Sequence, residues 1–124
     1  MPAREPHEAH KLWEAAANSA DFEAILDLYE KDSVFFSQPG QRADGIEQIR
    51  AALEAWRGLN PQVSMETKCV VQCGDIALTK SEWTVKATGP DGKPIEVAGN
   101  GTEVLRRQAD GSWRFLIDDP YGVV

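Results

Sequence analysis

Apolar residues first recur with a helical period: Ala9, Leu12, Trp13, Ala16 and Ala17 fall at i, i+3, i+4, i+7 and i+8, with Glu8, Lys11 and Glu14 between them. That spacing buries one face of a helix. Pro6 suits its first turn, because it lacks an N–H that would go unpaired there, and Asn18-Ser19 ends it. A second stripe, Phe22, Ile25, Leu26 and Tyr29, follows Asp21, a capping carboxylate, with Glu23 near the positive end of the helix dipole. Val34-Phe35-Phe36-Ser37 reads as a short strand and Gln38-Pro39-Gly40 as a turn. Asp44 and Glu47 have the form of a capping box ahead of a third stripe, Ile46, Ile49, Leu53 and Trp56, which Gly58 and Pro61 stop.

From Gln62 the period falls to two. Val63, Met65, Thr67, Cys69, Val71 and Cys73 share one face, and Ser64, Glu66, Lys68 and Gln72 the other, as in a strand with one wet side. Gly74-Asp75 turns the chain into a strand from Ile76 to Thr88, in which Trp83 and Val85 oppose Lys80, Glu82 and Lys86. Gly89 to Pro94 is dense in turn formers and predicts an exposed tip. Ile95 to Gln108 runs back, and Asp110-Gly111 joins it in a hairpin to Trp113–Asp119. Three helices interrupted by a short strand, then a long meander, predict one α+β domain over residues 1–124, its helices packed on one face of a curved antiparallel sheet.

A chain of 124 residues buries about two thirds of its unfolded surface and needs no metal or disulfide staple. Acidic residues outnumber basic ones 20 to 13 and the sequence pI is near 4.8. This is the wrong sign for binding a phosphate backbone, so nucleic acid is not an expected partner. The N-terminal stretch has no apolar signal core and no run spans a bilayer, so a cytoplasmic location with no membrane partner is expected. Cys69 and Cys73, four apart in a strand pattern, stand roughly 13 Å apart. That exceeds the reach of a disulfide, and both are expected to be small core thiols.

Three stretches resemble the nuclear transport factor 2-like superfamily and, within it, the SnoaL-like and ketosteroid-isomerase-like group. They are Ser19–Ile25 leading to Asp32-Ser33-Val34-Phe35, Gly45–Ile49 opening the third helix, and Gly101–Arg107 with Asp110-Gly111-Ser112-Trp113-Arg114. The resemblance implies a cone-shaped, cystatin-like fold, a homodimer formed through the sheet, and a pocket between sheet and helices for a small apolar or carbonyl-bearing ligand. Ketosteroid isomerase pairs a carboxylate base with a Tyr and a protonated acid as oxyanion donors. Carried over by motif, the acid position falls at or next to Glu103, the Tyr position on Trp13 and the base position on Gln38. An amide cannot take a proton from carbon, so steroid isomerisation by that route is not expected. Trp13 can still donate through its indole N–H. Some SnoaL-like polyketide cyclases use an Asp near the C-terminal end of the fold as base, which draws attention to Asp119.

Glu103 alternates with Gly101 and Leu105 and so points with small and apolar residues, where desolvation suits a carboxyl to acid or base work. The alternative is a solvated face on which it pairs with Arg106, Arg107 or a dimer partner. Asp119 has the parity of Trp113, Phe115 and Ile117, whereas Asp118 goes with Arg114 and Leu116. Asp119 is therefore the second candidate acid or base and Asp118 a ligand-lining residue, against the reading of both as turn chemistry at a strand end. Trp13, Gln38, Trp56 and Trp83 are the other expected ligand contacts; without a ligand the tryptophans, Trp113 included, are core.

His7, His10 and Glu14 recur one helical turn apart, but the neighbouring sequence offers no convincing further metal ligand, so a solvated first turn is expected. No metal or cofactor is expected. Gly99 and Gly101 either leave room for a ligand or bend the strand. Two functions remain. One is a cofactor-free isomerase, cyclase or other proton-transfer enzyme on an apolar carbonyl metabolite; the other is a non-catalytic ligand-binding or dimeric association module.

Overall fold

A 3₁₀ turn at Pro6–Glu8 leads into α1 (Ala9–Asn18), and α2 (Phe22–Leu26) follows at once, Asp21 accepting the Ala24 N–H at 3.1 Å. The computed structural model describes residues 2–122. Next come β1 (Tyr29–Gln38), β2 (Gln41–Asp44), α3 (Ile46–Arg57), β3 (Gln62–Cys73), β4 (Ile76–Thr88), β5 (Pro94–Arg107) and β6 (Trp113–Asp119). The six strands form one sheet in the order β2-β1-β6-β5-β4-β3. All neighbours run antiparallel except β1 and β6, which are parallel. The three helices cover one face, and Ile25, Ile49, Leu105, Phe115 and Tyr29 are fully buried between them and the sheet. Among the described residues no helix is long and apolar enough to cross a membrane.

Local expectations change at the second stripe and at Asp44. The second stripe is helical only to Leu26, because the Leu28 carbonyl accepts the Phe115 N–H at 2.7 Å and pulls the chain into the sheet. Tyr29 therefore opens β1 instead of closing a helix. Asp44 does not cap α3: its carboxylate pairs with Arg42 at 2.8 Å, and Gly45, at φ +82°, occupies the cap position. Gln41–Asp44, between the expected turn and the third helix, pairs with β1 as β2.

Cys69 and Cys73 are exposed, contrary to the expectation of core thiols. The cause is the register of β3. Its near half faces the helices, where Asn18 bonds both N–H and C=O of Val63 and Glu14 accepts the Met65 N–H. Thr67 still pairs with the buried Ser81, but after the register shift Cys69 pairs with Lys80 and Cys73 with Ile76, so the inserted Lys68 turns both cysteines to the face away from the helices.

Candidate functional site

β5 carries Gly101, Glu103 and Leu105 inward, all buried, as its period requires. β6 does not keep a simple period. Leu105 pairs with Phe115, but Val104 pairs with Ile117, so Leu116 is an extra residue in the ladder. One inserted residue reverses the facing of everything beyond it. Ile117 is turned outward and 37% exposed, and Asp118 is turned inward, directly across from Glu103. The parity that favoured Asp119 thus holds only as far as Phe115. Asp119 pairs with Thr102 and accepts the Tyr121 N–H at 3.0 Å, which is turn chemistry away from the cavity.

The two inward carboxyls are held differently. Glu103, 2% exposed, accepts the Thr79 hydroxyl on Oε1 and the Ser81 hydroxyl on Oε2, both at 2.7 Å. His10 Nε2 approaches Oε1 to 3.0 Å, but out of line with the ring N–H direction, so the contact has ion-pair proximity without hydrogen-bond geometry. Asp118 Oδ2 accepts the Tyr29 hydroxyl at 2.5 Å, and the Tyr29 oxygen in turn accepts the Trp13 indole N–H at 3.0 Å. Among the described residues nothing hydrogen-bonds Asp118 Oδ1.

Burial pushes the Asp118 carboxyl up to about 7, with the nearby Glu103 charge acting in the same direction and the Tyr29 hydrogen bond opposing it. Burial and the Asp118 charge raise the Tyr29 hydroxyl well above its ordinary value, so it remains a donor at neutral pH.

Above these groups lies a cavity of about 60 Å³ with Trp13, Phe35, Trp56 and Trp83 in its walls and Ser37, Ser81, Glu103 and Asp118 as its polar edges. The Trp83 N–H donates to the Pro120 carbonyl at 2.6 Å, and its ring stands edge-on to Tyr121. Gly99 and Gly101, read as leaving room for a ligand or bending the strand, give their room to side chains. A Cβ on Gly99 would lie 2.6 Å from the Trp83 ring, and one on Gly101 would lie 2.4 Å from Glu103 Oε2.

Of the expected contacts, Trp13, Trp56, Trp83, Glu103 and Asp118 meet at this cavity, and Gln38 does not. Gln38 sits exposed at the end of β1, after a register shift beside the Pro39-Gly40 turn, and lines a shallow outer groove with Arg42. Two residues went unread as polar members of the site. His7 is exposed as expected of a solvated first turn, but His10 is 1% exposed. Its spacing to Trp13 and Ala17, i+3 and i+7, was the available signal. Tyr29 carried no such signal, since its apolar ring fits either setting. Among the described residues no group of three or more His, Cys, Asp and Glu is arranged to hold a metal ion.

Fold and site together define a small α+β pocket protein, with two buried carboxyls and aromatic walls between a curved sheet and three helices. The chain belongs to the SnoaL-like domain family, which it matches over residues 9–115, and it shares the fold of solved nuclear transport factor 2-like proteins. A conserved protein from Planctomyces limnophilus is 26% identical and superposes with a TM-score of 0.80 over 92% of this chain and 89% of that one. A ketosteroid isomerase-like protein from Erwinia carotovora atroseptica is 26% identical, with a TM-score of 0.77 over 89% and 87% of the two chains. A nuclear transport factor 2-like protein with a cystatin-like fold from Novosphingobium aromaticivorans, 19% identical, shares the fold with a TM-score of 0.75 over 90% and 75%. Among curated proteins none matches the chain in sequence.

Proposed function

We propose that this protein moves protons on a small apolar, carbonyl-bearing metabolite without a cofactor, and that Asp118 takes and returns the proton. The observation that carries the reading is the state of this one side chain. Its carboxyl is pushed up to about 7, where a general base or acid is most effective, with one oxygen fixed by Tyr29 and the other, among the described residues, without a hydrogen bond at the edge of an aromatic cavity. In its carboxylate form Asp118 removes a proton from carbon next to the carbonyl, and the electron pair moves onto the carbonyl oxygen. Returning the proton to another carbon completes an isomerisation. Glu103, fixed by Thr79 and Ser81, is the second acid or base of this site. Asp119 serves the turn.

The test is α-carbon exchange. Wild-type protein in D₂O is incubated with a panel of small cyclic and aryl ketones, and deuterium uptake is followed by proton NMR. Accelerated uptake on at least one class is expected. If no ketone exchanges faster than in buffer, the catalytic reading fails and the non-catalytic pocket remains.

The association reading has an observation of its own. Val71, Leu78, Val104, Ile117 and Val34 pair in succession across β3, β4, β5, β6 and β1. They form an apolar row on the face away from the helices, in which Val71 is 57% exposed. Such a row marks an interaction surface, and we propose that two copies meet through it. Light scattering at tens of micromolar is expected to give a dimer mass, and Leu78→Lys a monomer. A wild-type monomer under those conditions removes the dimer.

A further inference from the structure

A buried histidine beside a buried carboxylate usually donates to it along the N–H direction, and His10 does not. Its Nε2 stands 3.0 Å from Glu103 Oε1 out of line, while Oε1 is held by the Thr79 hydroxyl. The other ring nitrogen is engaged strongly: Nδ1 lies 2.6 Å from Thr67 Oγ1. Thr67 is half-buried on β3, where the sheet leaves the helices, and its hydroxyl also lies within donating distance, 3.3 Å, of the carbonyl of the exposed His7. The hydroxyl has one proton and two acceptors, and which one it serves decides which nitrogen of His10 carries the ring proton. The Asp118 carboxyl on β6 also lies close enough to the imidazole for their charges to interact.

From this chain of contacts we infer that His10 relays protons between Thr67, at the half-buried edge, and Glu103, in the cavity. In the inward direction a hydronium ion at the edge gives a proton to the Thr67 oxygen, leaving water, as the hydroxyl proton passes to Nδ1 and the ring briefly carries both protons. The Nε2 proton then passes to Glu103 Oε1, leaving the ring neutral with its proton on Nδ1. The outward direction reverses each transfer, so Glu103 gives back its proton by the path that supplied it. No atom moves further than a hydroxyl rotation and a closer alignment of the ring with Oε1. Such alignment is often incomplete until a ligand is bound. The inference deepens the proton-transfer reading by giving Glu103 a proton source, which makes His10 and Thr67 positioning residues and not groups that touch a substrate.

The test reads the relay without a substrate. In protein labelled with ¹⁵N at histidine, with His7→Gln assigning the signals, the exchange of the His10 ring N–H with water is measured by NMR. Thr67→Val keeps the branched shape and removes the hydroxyl, and it is expected to slow that exchange about tenfold or more. Thr67→Ser is expected to restore the wild-type rate, and Thr67→Ala replaces Thr67→Val in the comparison if the valine perturbs the fold. Equal rates in wild type, the serine variant and the hydroxyl-free variant overturn the relay. Its failure leaves the ketone exchange of wild type untouched, and failure of that exchange leaves the histidine measurement standing, so the two readings fall separately.

Discussion

Asp118→Asn is expected to remove the α-carbon exchange by about 10²–10⁴-fold while making the protein more stable above neutrality. Both effects have one cause. The fold holds a carboxyl at about 7 that would otherwise titrate at 3.8. Below the lower value the folded and unfolded chains both carry the proton, and the stability belonging to Asp118 is fully present. Between about pH 4 and pH 7 the folded chain keeps a proton that the unfolded chain releases, so stability falls as pH rises through this window. It levels off above, where the carboxylate is ionised in both states and buried in one. Asparagine has no proton to lose and can still accept the Tyr29 hydroxyl. Urea unfolding at about pH 8 should therefore show a gain on the order of 1–2 kcal/mol, shrinking towards acid pH. The wild-type exchange rate should rise with pH through about 7 and then level, since only the carboxylate can accept a proton. Parallel stability curves for the two proteins, or a rate that falls through that region, would contradict the role given to Asp118.

Gly101→Ala should be the most damaging single methyl in the sheet. Its Cβ would stand 2.4 Å from Glu103 Oε2, 2.6 Å from Ser81 Oγ and 3.3 Å from Pro120 Cα. The glutamate cannot step aside cheaply, because moving it breaks its bonds to Thr79 and Ser81 in a region closed to water. A loss of about 3 kcal/mol is expected, measured by thermal or urea unfolding. Gly58→Ala is the control, having ordinary helical φ and nothing near the added carbon, and should be close to neutral. If Gly101→Ala loses no more stability than the control, the carboxylate is not held as described.

Legibility differed from residue to residue for physical reasons. Glu103 could be placed from its neighbours because β5 keeps an unbroken period of two from Gly101 to Leu105. The same parity argument turned Asp119 towards the cavity that Asp118 lines, since an inserted Leu116 leaves no mark in local composition and shows only in how β6 pairs with β5. The length of α2 was misjudged because Tyr29 fits the helical stripe, and only the Phe115 N–H, far along the chain, decides against it. Cys69 and Cys73 fit the alternation of a buried face in sequence, yet the register shift after Thr67 turns them to the opposite face.

By itself, then, the sequence determined the α+β class, the three helices, the turns and the grouping of Glu103 with Gly101 and Leu105 on one strand face, because periodicity and turn chemistry act between residues close in the chain. Tertiary structure alone decided that Asp118 and not Asp119 faces the cavity, that Tyr29 and Trp13 hold it, and that His10 lies against Glu103. Those contacts join elements up to 93 positions apart, as between His10 on α1 and Glu103 on β5. The register of the strands sets them, and a local pattern carries no record of register across a bulge.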